Sequence, residues 1–169
     1  MTKVFTGASM SLDGYISGPA ETGFEHLFKW YGNGDVVVPT THPEMTFHMS
    51  AVSAEHVRNL IDNTGALVVG RRLFDSTGAW DGNHPMGRPV VVVTHNVPEG
   101  WPREDAPFTF VTDGIESAIE QAKALAGDRW SGSTAAPSPG SASMRACSTR
   151  SGLISSPSCS AAEPHSSTS

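Results

Sequence analysis

The chain has 169 residues, of which 17% are charged, and a formal net charge of −6 at pH 7. This acidic balance argues against a nucleic-acid partner, because phosphate binding needs clustered Lys and Arg. No apolar run approaches the roughly 20 residues that span a bilayer, and the N-terminus lacks the apolar core of a signal peptide. The two cysteines, Cys147 and Cys159, support no disulfide or zinc framework. The composition therefore predicts a cytoplasmic protein without a membrane or nucleic-acid partner.

The predicted elements alternate between strands and helices. In chain order they are a strand over 3–8, a turn over 11–14, an irregular stretch over 17–49 with a short strand at 35–38, a helix over 53–63 capped by Ser53, a buried strand over 66–69, a short helix over 71–76, strands over 89–94 and 108–111, and a helix over 115–126. This alternation predicts an α/β fold with a mainly parallel sheet and helices on its faces.

The composition changes abruptly at Trp130. Residues 131–169 contain no Val, Phe, Tyr, Trp or Lys, and 14 of these 39 residues are Ser. Such a segment cannot bury enough apolar surface to offset the entropy of ordering it. We therefore predict one domain over residues 1–129 and a disordered C-terminal tail over residues 130–169. The strand expected after the last helix is then missing or replaced, which leaves a central position of the sheet unfilled.

A candidate anion site lies where the strand over 66–69 ends. Gly70, Arg71 and Arg72 join this strand to the following helix. Free backbone N–H groups at the start of a helix favour a phosphate, and an arginine adds charge-assisted hydrogen bonds. Open α/β sheets bind ligands at the carboxyl ends of their strands. The alternative is a tight strand–helix turn with solvated arginines.

Three segments together resemble one family. MSLDGYISGP, ALVVGRRLFD and PVVVVTHNVP occur in the order and at the separations of the dihydrofolate-reductase-like domain that forms the C-terminal half of the bifunctional riboflavin-biosynthesis deaminase–reductase. Free-standing bacterial proteins share this domain, and the resemblance covers residues 3–128. It implies a three-layer sandwich, homodimers, and NADPH-dependent reduction of a small heterocycle, of the 5-amino-6-(5-phosphoribosylamino)uracil reductase type.

The resemblance also implies which residues contact the cofactor. These are Ala8 at the nicotinamide carboxamide, Gly70, Arg71 and Arg72 at the phosphates, and Thr94 and His95 at the adenosine 2′-phosphate. Histidine is a weaker anion partner than arginine at neutral pH. The choice between NADPH and NADH therefore stays open, with NADPH preferred.

The loop after the first strand is expected to close over the nicotinamide ring and the substrate. The resemblance implies substrate contacts for Ser11 and Gly14, and Asp13 as the residue that orients substrate or relays a proton. A turn Asp often bonds only its own backbone, however. Trp30 could line a pocket for a flat heterocycle or pack in the core. The histidines show no standard ligand spacing, so no metal is expected.

The C-terminal tail suggests a frameshift near Arg129. Serine codons of the TCN type, read one base earlier, become NTC codons for Val, Leu, Ile or Phe. The shifted reading resembles the family's ending, in which a buried strand leads through a Gly-Gly phosphate turn into a helix. The alternative is a genuine disordered linker.

Without that ending, we predict that the chain binds NADPH weakly or not at all. The alternative functions are a non-catalytic nucleotide-binding remnant and a dihydrofolate reductase, the latter disfavoured because no acid lies convincingly on the expected early helix. The same loss weakens the expectation of a homodimer, since members of the family commonly pair through their C-terminal strands.

Overall fold

The structure is a computed structural model that describes residues 3–134, apart from the side chains at positions 21, 133 and 134. Its strands are β1 (Val4–Gly7), β2 (Val36–Val38), β3 (Phe47–Met49), β4 (Thr64–Gly70), β5 (Val90–Val93), β6 (Phe108–Val111) and β7 (Trp130–Thr134). Its helices are α1 (Phe24–Leu27), α2 (Ala51–Asn63), α3 (Arg71–Ser76) and α4 (Ile115–Ala126). No helix in this part of the chain is long and apolar enough to cross a membrane.

Five strands form one sheet in the order β1-β7-β4-β5-β6, and every neighbouring pair is parallel. The apolar runs of β4 and β5 suit this arrangement, because parallel strands are buried on both faces. Strands β2 and β3 pair separately in an antiparallel sheet of two strands. The predicted α/β fold with a mainly parallel sheet is confirmed.

Alternate residues of β4 point to opposite faces of the sheet, and each face has its own core. On one face α4 presents small side chains, which lets it pack closely on Ala66 and Val68 of β4. On the other face α3 and the residues after it cover Leu67 and Val69. The buried residues that complete the first core are Val91, Val111, Ala118, Ala122 and Ala126, and those that complete the second are Phe74, Ala79, Val90, Val92 and Phe108.

The small sheet has a third core, formed with α2 by Val38, Met49, Ala54 and Val57. Helix α2 begins earlier than predicted, since the hydroxyl of Ser50 accepts a hydrogen bond from the Ser53 amide. The predicted cap at Ser53 is therefore wrong, and Ser50 is the cap. Strand β3 was not predicted, because its three residues are fixed by pairing with β2 rather than by a local pattern.

The centre of the sheet is occupied, which corrects the expectation of an unfilled strand. Strand β7 lies between β1 and β4, with Ser131 opposite both Val4 and Ala66. Strand pairing uses backbone groups that every non-proline residue carries, so a strand in which four of five residues are small or polar suffices when partners flank it on both sides. The sheet therefore extends five residues into the predicted C-terminal tail. The rest of that tail, with Cys147 and Cys159, lies outside the described residues.

Candidate functional site

The carboxyl ends of the five parallel strands meet at one edge of the sheet, here called the carboxyl edge. Gly7 is opposite Thr134, which is opposite Val69, while Gly70 is opposite Val93. The connections that begin at Ala8, Arg71 and Thr94 therefore leave from the same edge. From β4 to β6 each new strand is added on one side of β4, and the chain then crosses back to place β7 on the other side, between β1 and β4. Open α/β sheets bind ligands where the direction of the connections reverses in this way.

Two glycines at this edge lie beside open space. Among the described residues, a Cβ atom built on Gly7 or Gly70 meets nothing within 4 Å, although Gly70 is also the N-cap residue of α3. Gly70 has φ −79°, which any residue adopts, and Gly7 has no left-handed backbone either. The absent side chains leave open space directly above the ends of β1 and β4. Glycine at such positions allows a ligand to approach the backbone closely, so these residues fit an extended dinucleotide laid across the edge.

Arg71 and Thr94 meet at the carboxyl edge and hold the connection after β5. The Arg71 Nε donates to both carboxylate oxygens of Asp75 at 2.8 Å, and its Nη1 donates to the Asn96 carbonyl at 3.0 Å. The buried Thr94 hydroxyl donates to the same carbonyl at 2.8 Å. Much of the hydrogen-bonding capacity of both side chains is thus used inside the protein.

Arg72 and His95 complete the predicted cofactor-binding set. Their side chains are exposed and follow Arg71 and Thr94 directly in the chain. The structure therefore gathers the two halves of this set, 70–72 and 94–95, on neighbouring strand ends. Ala8 lies farther along the edge, because β7 separates β1 from β4. At the usual spacing of strands this places the ends of β1 and β4 about 10 Å apart.

The loop after β1 is closed by its own hydrogen bonds. The Ser11 hydroxyl donates to Asp13 Oδ1 at 2.6 Å and accepts from the Tyr15 amide at 2.9 Å. Gly14 adopts φ +92°, which favours glycine, and its amide donates to the Ser11 carbonyl at 3.0 Å. The exposed Asp13 carboxylate therefore has a local partner, which is the Ser11 side chain rather than the backbone, and keeps one oxygen outside this bond.

This loop forms one wall of a cleft of about 640 Å³. Such a volume falls within the range of small-molecule sites. Ser11, Asp13 and Tyr15 line one side, and the other side is formed by Ser17, Gly18, Pro19, Gly23, His26 and Leu27. His26 was missed by the sequence analysis, because nothing in the local pattern predicts the four-residue helix α1 that carries it.

Trp30 lies outside the residues that line this cleft. Its indole Nε1 donates to the Ser9 hydroxyl at 3.1 Å, and its ring stacks on Tyr31 with centroids 4.3 Å apart. Tyr31 in turn stacks on Phe47 at 4.4 Å. Burial raises the pKa of Tyr31, and a hydrogen bond with Ser9 partly offsets this effect. Trp30 thus belongs to the core of the small sheet and ties the loop after β1 to it.

The described residues offer no cluster of metal ligands. Within residues 3–134, no three His, Cys, Asp or Glu side chains converge into a group that could hold a metal ion.

Comparison with known proteins supports the fold. No family model and no curated protein matches the chain, whereas nine chains of solved structure do. One is a protein from Shewanella sp. PV-4 provisionally assigned to riboflavin biosynthesis, with a TM-score of 0.50 and 20% sequence identity. The match covers 80% of this chain and 65% of that chain, so this chain spans less than two-thirds of the neighbour's length. At this identity the likeness shows a shared fold.

Proposed function

We propose that the chain has the design of an NADPH-dependent reductase of a small heterocyclic substrate, of the 5-amino-6-(5-phosphoribosylamino)uracil reductase type. The observation that carries this proposal is the pair of glycines at the carboxyl edge, Gly7 and Gly70, which leave open backbone on either side of the returning strand β7. The three resembling sequence segments and the likeness to a protein assigned to riboflavin biosynthesis give further support.

The cofactor would lie along the carboxyl edge. Backbone near Ala8 would hold its nicotinamide end, and the backbone of Gly70 with Arg71 and Arg72 would face its phosphates. NADPH supplies the hydride when bound, so the protein contributes orientation and exclusion of water. Arg71 keeps the Asn96 carbonyl in place, and we assign it the additional role of fixing the connection that carries His95.

The substrate would bind in the cleft beside the loop after β1. Asp13 is the charged group of that loop that lines the cleft. Its carboxylate accepts the Ser11 hydroxyl through Oδ1, so Oδ2 is the oxygen that would orient an amino group of a heterocycle or relay a proton. Tyr15 and Leu27 supply apolar surface for a flat ring.

A non-catalytic remnant of such a reductase is the second candidate, and two features favour it. The buried Ser131 hydroxyl, in the middle of the sheet, has no hydrogen-bond partner within residues 3–134. The residues that follow β7 in the sequence are Ala135, Ala136 and Pro137, where the resemblance implies a Gly-Gly phosphate turn. Proline has no N–H to donate to a phosphate. We therefore propose that this chain binds NADPH more weakly than micromolar.

A comparison of two chains tests both parts of the proposal. One is the chain as it stands, and the other is a frame-restored chain whose residues from 130 onward come from reading the codons one base earlier. We expect micromolar NADPH binding by the restored chain and binding at least about tenfold weaker by the present one, a difference of about 1.4 kcal/mol. Fluorescence titration of NADPH measures both. No binding by the restored chain would overturn the reductase assignment. Micromolar binding by the present chain would overturn the proposal that its C-terminal residues weaken NADPH binding.

A glycine substitution tests the position of the cofactor. Gly70→Ala places a methyl group in the open space at the end of β4, so we expect weaker NADPH binding by the restored chain with unchanged thermal stability. The matched control is Gly32→Ala, since a Cβ at Gly32 also meets nothing within 4 Å among the described residues and Gly32 lies in the turn Lys29–Gly32 rather than at a strand end of the five-stranded sheet. Equal affinity of the two variants for NADPH would place the cofactor elsewhere.

A further inference from the structure

The connection between β2 and β3 is bonded to the segment that precedes β5. The Thr41 amide donates to the Pro85 carbonyl at 2.9 Å, and the Thr41 hydroxyl donates to the His84 carbonyl at 3.0 Å. The ring of His42 adds a third bond, with Nε2 2.6 Å from the Asn83 carbonyl oxygen. These bonds join parts of the chain more than 40 residues apart and hold the small sheet's connection to the five-stranded unit.

The two partners of the His42 ring decide its protonation state. Nε2 faces a carbonyl oxygen, and Nδ1 lies 3.2 Å from the Glu44 carboxylate. Both groups only accept hydrogen bonds, whereas a neutral imidazole has a single N–H. Both contacts are hydrogen bonds only when His42 carries two ring protons and a positive charge. The His42 side chain is 15% exposed and the Glu44 side chain is 72% exposed, so the contact with the Asn83 carbonyl is the one that is partly shielded from solvent.

His84, on the other side of this contact, requires the opposite state. The Met86 amide donates to its Nδ1 at 3.2 Å, so this nitrogen must be unprotonated. The ring packs edge-on against Trp80 with centroids 4.6 Å apart. Burial, and to a smaller extent the charge of His42, lower the pKa of His84 to about 4. The contact thus combines a charged imidazole with a neutral one.

The charges around His42 support its cationic form. The hydrogen bond to the Asn83 carbonyl raises the pKa of His42 against the effect of burial, and the carboxylates of Glu44 and Asp81 raise it further. His84 is the other titratable group facing it, and it is neutral.

The segment that ends at this contact begins in an unusual conformation. Ala79, Trp80 and Asp81 have φ of 54°, 46° and 51°, and Gly78 and Gly82 on either side are also left-handed. L-residues rarely adopt this conformation, and it persists only where surrounding contacts hold it. The bonds to Thr41 and His42 follow directly at residues 83–85, so they are placed to hold this turn.

We propose that His42 is a protonation-dependent latch. As the imidazolium it fastens the connection between β2 and β3 to the segment before β5, and loss of its proton releases the bond to Glu44 or Asn83 and loosens the contact. Since the bound form favours the proton, the contact is fully stabilised below the unfolded-state pKa of about 6.5 and weakens as pH rises through the raised pKa. His84 acts in the opposite sense, because its neutral form is required and is lost as pH falls from about 6.5 towards about 4.

Nitrogen-15 NMR of the histidine rings in the full chain tests the protonation states directly. At pH 6 we expect both nitrogens of His42 to be protonated and His84 to carry its proton on Nε2 alone. Exchange of the Thr41 amide reports the contact itself, since this amide donates across it. As the pH rises through the pKa of His42, the equilibrium constant for opening of this contact should increase. The increase should reach about tenfold for each unit by which the closed state raises that pKa.

Two substitutions separate the charge from the hydrogen bond. His42→Gln keeps an N–H for the Asn83 carbonyl but has no charge, so its Thr41 protection should be low and independent of pH between pH 6 and pH 9. His26→Gln is the control, because His26 is 70% exposed and pairs with the adjacent Glu25. Neutral His42 at pH 6, or a wild-type Thr41 protection that does not change over this range, would overturn the latch. The wild-type measurements decide this even where the variant fails to fold.

Discussion

Two fully buried hydroxyl groups in neighbouring strands differ in their surroundings. Thr64 begins β4, and its hydroxyl donates to the Leu60 carbonyl at 2.7 Å. Ser131 lies in β7, and its hydroxyl has no partner among the described residues although it is equally buried. A buried polar group without a hydrogen bond costs about 1–3 kcal/mol. The middle of the sheet therefore carries a polar group that contributes nothing to its stability.

This contrast predicts opposite effects of two similar substitutions. Ser131→Ala removes the unpaired hydroxyl, so we expect an increase of about 1 kcal/mol in the free energy of unfolding. Thr64→Val keeps the shape but removes a satisfied hydrogen bond, so we expect a loss of about 1 kcal/mol. Urea denaturation of the two variants and the wild type measures both. A loss of stability in Ser131→Ala would show that its hydroxyl has a partner after all.

The sequence predicts the position of residues that directly follow two neighbouring strands of the sheet. Gly70, Arg71 and Thr94 follow apolar runs directly, so their common edge could be predicted from those runs. The bond from Trp30 to Ser9 and that from His42 to Asn83 link residues 21 and 41 positions apart. Such contacts depend on how the loops fold, and no local sequence pattern predicts them.

At the scale of elements, β7 depends on one glycine. A Cβ at Gly132 would lie 2.9 Å from Phe5 Cζ, so the Phe5 ring would have to shift, and 3.3 Å from Leu67 Cδ2, which is tighter than most packed contacts. The Phe5 ring is also packed edge-on against Trp130 at 5.8 Å. The missing side chain at position 132 leaves the space in which the Phe5 ring packs against β7.

We therefore expect Gly132→Ala to lower the free energy of unfolding by about 1–3 kcal/mol, since the Phe5 ring must leave its position. Thermal denaturation measures the effect, and Gly70→Ala is the control because its Cβ would meet no atom. Equal melting temperatures for the two variants would argue against the placement of β7 beside Phe5.

Helices α3 and α4 and strand β6 were predicted to the residue, because each has a clear apolar pattern with a turn before or after it. The start of α2 was not, since Ser50 and Ser53 are both good caps and the sequence does not choose between them. Strand β7 was not predicted, because the composition of the whole segment over 130–169 predicts disorder. Its five residues are instead ordered by hydrogen bonds to β1 and β4, which local composition does not report.

At the scale of the whole molecule, the order of strands creates the candidate site. Because β7 returns to the centre, the ends of β1 and β4 stand on either side of it with open backbone at Gly7 and Gly70. The cleft beside Asp13 opens next to the loop that leaves β1. The class of fold followed from the alternation of strands and helices, whereas the cleft did not, because the segment over 17–27 that forms its second wall has no regular pattern.

Mapping NADPH onto the backbone amides of the full chain by NMR tests the central claim most directly, because it detects even millimolar binding. We expect shifts at the carboxyl edge, at Ala8, Gly70, Arg71 and Thr94, with an affinity weaker than micromolar. The amides at the opposite edge, near Val4, Thr64 and Val90, should not respond. Shifts confined to that opposite edge would contradict a nucleotide site at the carboxyl edge.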